Sequence, residues 1–187
     1  YAWISIPNAN VNYPILQSKE EKSYYITHNV NRVKSSYGAI YTQNYNRTDF
    51  SDYNTIIYGH NMKNGSMFRA LNHMMDKEYI WRHHIFCIDI GNGFEEYEVI
   101  SCYETTENDL TSWQIGFESE EAYGAWLKNV TDRCTYDCVG YDVNKTKAKG
   151  RKRSKKLLIA GVIVACLAVI ALLTAAAVMI WTEPPEI

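Results

Sequence analysis

Residues 54–68 read N-T-I-I-Y-G-H-N-M-K-N-G-S-M-F, and this stretch constrains the fold more tightly than any other in the chain. Thr55, Ile56, Ile57 and Tyr58 form a β-branched and aromatic run, the composition of a buried strand. Gly59 ends that strand and leaves His60 at its mouth. Lys63-Asn64-Gly65 then makes a turn, and Ser66 is placed to cap a helix from about Ser66 to Met75. Met67, Leu71 and Met74 share one face of that helix, as core residues do. A histidine at a strand end, before a loop, is where a general acid or base is often held. The same place also suits a histidine that only hydrogen-bonds the adjacent loop, so position alone leaves both roles open.

The flanking residues extend the β pattern. Residues 1–17 contain two short strands around a turn at Pro7-Asn8-Ala9-Asn10. Gly38–Thr42 returns to strand, and residues 44–54 form a polar loop. After a short helical turn at about Tyr79–His84, Ile85–Ile90 alternates in and out. The Gly91-Asn92-Gly93 turn joins it to Phe94–Thr105, which makes a hairpin. Ser119 caps a helix running to about Val130, with Tyr123, Trp126, Leu127 and Val130 on its apolar face. Many short strands with few helices predict a mostly β fold, an antiparallel β-barrel with inserted helices.

Charge is divided along the chain. Residues 1–144 carry 11 Lys and Arg against 19 Asp and Glu, a balance of −8 that argues against nucleic acid as a partner. The other 8 basic residues all fall between Lys145 and Lys156. The five cysteines, Cys87, Cys102, Cys134, Cys138 and Cys166, have no metal-site spacing, and no metal or cofactor is expected.

Leu157–Trp181 is an apolar run of 25 residues whose one polar member is Thr174. At about 1.5 Å per residue in a helix it exceeds the roughly 30 Å hydrocarbon core of a bilayer, so one transmembrane helix is expected. The chain therefore divides into a β domain (1–144), a basic juxtamembrane segment (145–156), a membrane span (157–181) and a short polar tail (182–187). Basic residues before a span normally mark its cytoplasmic side.

The segment Y-G-H-N-M-K-N-G-S-M-F is similar to the histidine segment of class B sortases, the cysteine transpeptidases of Gram-positive cell surfaces. Y-A-W-I-S-I-P (1–7), V-N-Y-P-I-L-Q (11–17) and G-A-I-Y (38–41) resemble that family's opening strands. Residues 136–143 resemble its approach to the nucleophile strand. The resemblance covers roughly residues 1–143 and implies a sortase-like antiparallel β-barrel. It also implies a single-pass cell-membrane protein with its catalytic domain on the extracellular face. Its partners would be the sorting-signal peptide of surface proteins, a peptidoglycan or pilin amine acceptor, and membrane lipid. In such an enzyme a cysteine thiolate attacks the substrate carbonyl, a histidine relays protons and an arginine steadies the oxyanion.

His60 matches the family histidine. No T-L-x-T-C nucleophile motif occurs in these residues, and the basic cluster begins where that strand is expected. Loss of the last strands would leave an open sheet edge. Cys134, beside Arg133, and Cys138 are the substitute nucleophile candidates, because a neighbouring cation can lower a thiol pKa. A local disulfide is the alternative. The segment from about Lys147 resembles a class B signal-anchor that would ordinarily precede the domain, so the order of parts reads as rearranged. Two functions are in view: a class B transpeptidase, or a non-catalytic sortase-like protein that binds sorting-signal peptides.

Overall fold

Alternate burial of Ala2, Ile4 and Ile6 turns Ala2–Ile6 into strand β1, with Trp3 and Ser5 facing outward. Asn10 closes the following turn at φ 53°, a conformation asparagine tolerates, and delivers β2 (Val11–Gln17) antiparallel to β1. The computed structural model describes residues 1–7 and 9–134 and the backbone of two later strands, Ile159–Ala160 and Ala176–Trp181. The basic cluster and residues 136–143 lie outside the described residues.

The remaining strands are β3 (Tyr41–Thr42), β4 (Thr55–His60), β5 (Ile85–Asp89), β6 (Phe94–Val99), β7 (Ile159–Ala160) and β8 (Ala176–Trp181). They form one sheet in the order β7-β6-β5-β1-β2-β3-β4-β8. Most pairs are antiparallel, while β2–β3 and β6–β7 run parallel. The mostly β, sortase-like fold holds in the form of a curled half-barrel, and among the described residues no pairing joins β7 to β8.

The central feature is β4. Its Ile57 enters a core with Ile4, Ile15, Ile40, Phe68, Leu71 and Phe86, while Ile56 enters a second core. That second core is roofed by helix α2 (Glu120–Asp132) through Tyr123, Trp126, Leu127 and Val130. Burial on both faces explains why β4 reads as a continuous apolar run rather than an alternating one. Ser119 accepts a hydrogen bond from the Ala122 N–H at 3.2 Å, so the expected cap forms.

Asn46 fixes the start of β4. Its amide donates to Asp52 at 3.0 Å and to the Asn54 carbonyl at 2.8 Å, and its oxygen accepts from the Ile56 N–H at 3.0 Å. Only 4% of Asn46 is exposed. Asn46→Ala leaves those buried partners unmatched and is expected to cost about 1–3 kcal/mol, read as a lower urea midpoint.

Three local expectations are revised. The segment after His60 is a 3-10 helix over Phe68–Met75, not an α-helix capped by Ser66. The Ser66 hydroxyl donates to Asn64 at 2.6 Å instead, and Met67 enters the helix at φ 56°. The second helix begins earlier than expected, as α1 (Lys77–His83), because the Asp76 carboxylate caps it at the Tyr79 N–H. Strand β6 stops at Val99, since the residues beyond turn toward α2, where the Ser101 hydroxyl donates to the Val130 carbonyl at 2.8 Å.

The apolar run also departs from expectation where it is described. Ala176–Trp181 is β8, antiparallel to β4 along its whole length with Trp181 opposite Thr55 and Ala176 opposite His60. A continuous helix over 157–181 therefore does not hold at β7 and β8. No helix among the described residues is long and apolar enough to cross a membrane. An apolar run suits a strand as well as a helix, and here it pairs along the edge of β4.

Candidate active site around His60

Contacts on both sides of it place His60. Upstream, β4 is held between β3, with Tyr41 opposite Tyr58, and β8. Downstream, a bridge between Asn61 and Met67 closes the loop, and the Met67 N–H donates to the Tyr13 hydroxyl at 3.0 Å. Gly65, at φ 87°, makes the turn and donates to the Met62 carbonyl at 3.1 Å.

His60 is 3% exposed, yet neither ring nitrogen has a hydrogen-bond partner among the described residues. Burial alone pulls its pKa below the usual 6.5, so the resting imidazole is neutral at pH 7. A neutral, unpartnered imidazole has one nitrogen free to take a proton and one free to donate.

The sign of the linkage is fixed by that depression. The unfolded histidine binds a proton more tightly, so its native-state penalty is absent well above pH 6.5 and grows as pH falls toward the folded pKa. Wild type should therefore lose more stability than His60→Gln between about pH 7.5 and pH 5, measured by urea unfolding across that range. Parallel stability curves for the two proteins would contradict this.

Strand alternation puts Tyr58 and Ile56 on the face that carries His60. Tyr58 stacks on Tyr41 at 5.1 Å and on Trp113 at 5.9 Å, and its hydroxyl shares a 2.7 Å hydrogen bond with Tyr45. The Trp113 indole N–H is buried without a partner among the described residues. Sequence reading missed this aromatic wall, because Tyr58 and Trp113 are 55 positions apart and only the fold brings them together. The one feature of the sequence that signals it is the count of 15 tyrosines.

The loop carrying Trp113 is tied to α2. Asp109 accepts hydrogen bonds from Ser112 at 2.5 Å, from Thr105 at 2.8 Å and from Arg133. Burial works against the Asp109 charge, but these three donors outweigh it and keep the carboxyl below its usual range. The Arg133 guanidinium also lies 5.4 Å from the Tyr103 ring centre and donates to Asn129 at 2.9 Å. Arg133 is thus engaged with α2 and its loop.

Cys134, the nucleophile candidate read from the sequence, follows α2 and is disulfide-bonded. No hydrogen bond joins it to His60. Burial, with a smaller push from Glu104, raises the Cys102 thiol to about 12, and its S–H donates to the Met75 sulfur at 3.3 Å. Cys87 is also raised, by burial and then by Glu96. Neither free cysteine is a thiolate near neutral pH.

Residues 4–131 match the Sortase domain family, and the chain belongs to it. Sortase B of Listeria monocytogenes is 35% identical over 151 residues, which is 81% of this chain and 58% of that relative. The chain thus spans under three fifths of that relative's length. The solved Listeria monocytogenes sortase B superposes with a TM-score of 0.72 at 29% identity, covering 97% of this chain and 92% of that one. A Staphylococcus aureus sortase B-substrate complex shares the fold, with a TM-score of 0.73 at 22% identity over 97% of this chain and 77% of that one. These likenesses support membership in class B.

Proposed function

We propose that this chain is a class B sortase-type transpeptidase in which His60 relays protons. The supporting observation is a buried imidazole, held toward its neutral form by burial and without a hydrogen-bond partner among the described residues, at the strand end that matches the family histidine. The substrate class is the sorting-signal peptide of surface proteins, and the Staphylococcus aureus protein of the same fold has been solved as a substrate complex. The acceptor is a cell-wall or pilin amine.

In this reaction His60 takes the proton of a cysteine thiol, and the thiolate attacks the peptide carbonyl. The peptide C–N bond breaks, the leaving amine receives that proton, and a thioester remains. The acceptor amine then attacks the thioester, gives a proton to His60, and releases the cysteine with a new amide formed. Cys134 is the nucleophile candidate within the described residues, and it serves only after its disulfide is reduced.

That disulfide favours a second reading, a groove that binds the sorting signal without cleaving it. The two separate when the reduced chain is treated with a sorting-signal peptide bearing a thiol-reactive group at its threonine carbonyl. A cysteine adduct found by mass spectrometry and lost in His60→Ala supports the transpeptidase. Trp113 fluorescence that responds to peptide without any adduct supports the binding groove. No adduct and no response would contradict both.

The proposed location is the cell membrane, with the β domain on its outer face. The apolar composition of residues 157–181 supports membrane attachment. The outer face follows from the family resemblance, since the basic cluster before the run would by itself put the β domain on the cytoplasmic side. Ala176–Trp181 cannot pair with β4 and lie in lipid at once. Full insertion of that run would therefore open the β4 edge beside His60.

A further inference from the structure

We propose that the hairpin over residues 26–37 is a second membrane contact, docking the domain on an anionic bilayer surface. Large apolar side chains gather there in the open: Ile26 is 36% exposed, Val30 55%, Val33 59% and Tyr37 58%. Cations accompany them. Residues 19–38 carry Lys19, Lys22, Arg32 and Lys34 against Glu20 and Glu21, a balance of +2 within a domain of −8. An anionic surface repels the rest of the domain and attracts this loop, so charge alone selects which side faces the bilayer.

The hairpin is built in advance. His28 bridges Lys34, the Asn29 N–H donates to the Val33 carbonyl at 2.9 Å, and the Ser35 N–H to the Thr27 carbonyl at 2.8 Å. The Asn29 side chain accepts from the N–H groups of Asn31 and Val33, and Arg32 sits at φ 61°. Tyr24 stacks on His28 at 4.0 Å, with the Arg32 guanidinium 5.4 Å from the Tyr24 ring centre. At the base, Gly38 has φ 55°, and a Cβ there would stand 2.4 Å from the Tyr25 carbonyl oxygen. Val30 and Val33 are therefore presented without an ordering cost at the moment of docking. Each cation near an anionic bilayer adds about 1 kcal/mol, and valines sunk into the interface add their apolar area.

This inference is independent of the chemistry assigned to His60. Its test is hydroxyl-radical footprinting of the full chain with vesicles of neutral phosphatidylcholine and with vesicles containing phosphatidylglycerol. Tyr37, Val30 and Val33 should lose their labelling in the anionic vesicles only, with Tyr37 falling to the rate of buried Tyr41. Leu110 and Phe94, exposed elsewhere, should keep theirs. Arg32→Gln with Lys34→Gln should restore labelling of the hairpin while the chain stays with the vesicles. Equal labelling in the two lipids would overturn the proposal, as would a failure to associate with either vesicle. Equivalent protection by soluble polyphosphate without lipid would overturn it too, since the hairpin would then fit an anionic polymer.

Discussion

Gly59→Ala is expected to destabilise the protein by about 3 kcal/mol, the upper part of the range for overpacking a filled core. The added Cβ would stand 2.4 Å from Ile40 Cδ1 and 2.4 Å from Phe68 Cδ2, far inside van der Waals contact. The Ile40 methyl is the far end of a flexible chain and can turn away. The Phe68 ring cannot yield as easily, because it is fully buried and begins the 3-10 helix. Relief must therefore come from β4 itself, which carries His60 one residue later. Urea unfolding should give a lower midpoint with an unchanged slope. Unchanged stability would mean that β4 and the 3-10 helix are not packed as described.

Phe68→Ala tests the same contact from the other side and should cost about 3–5 kcal/mol, as for other buried phenylalanines cut to alanine. Phe68 is a member of the main core with Ile57, Leu71 and Met74, and its removal leaves a void beneath the turn that follows His60. The two substitutions should not add. In the Phe68→Ala background the Gly59→Ala methyl enters the vacated space, so the coupling between them should be favourable by about 1 kcal/mol or more. Additive losses would show that the two residues do not share that space.

Local patterns carried much of the fold. The Gly91-Asn92-Gly93 turn, with Gly91 at φ 98° and Gly93 at φ 114°, joins the expected pair of strands. Helix α2 starts at the expected cap and buries the expected face. These elements are fixed by neighbouring residues, so neighbours reveal them. The 3-10 helix was misread because Met67, Leu71 and Met74 fit a 3.6-residue period. Phe68, Leu71 and Met74, three apart, are the most deeply buried residues there, at 0%, 1% and 0% exposure, and match three residues per turn.

What depended on distant contacts stayed hidden. Trp113 reaches Tyr58 only through the loop that Asp109 and Arg133 fasten to α2. The role of Ala176–Trp181 was ambiguous because an apolar run looks alike whether it meets lipid or a strand edge. His60 was the reverse case. Its strand and the following turn were legible, although the strand runs through Gly59 to His60 instead of ending at the glycine, and the structure adds the burial that favours a neutral imidazole.

The central proposal is that His60, buried and without a hydrogen-bond partner among the described residues, carries protons for a bound sorting-signal peptide. Its most direct test is an NMR titration of the His60 imidazole, assigned by comparison with His60→Gln, with and without a sorting-signal peptide. The account predicts a pKa below 6.5 in the free chain and a shift of the imidazole signals when peptide is added. A pKa at or above 6.5, with signals that ignore the peptide, would contradict it.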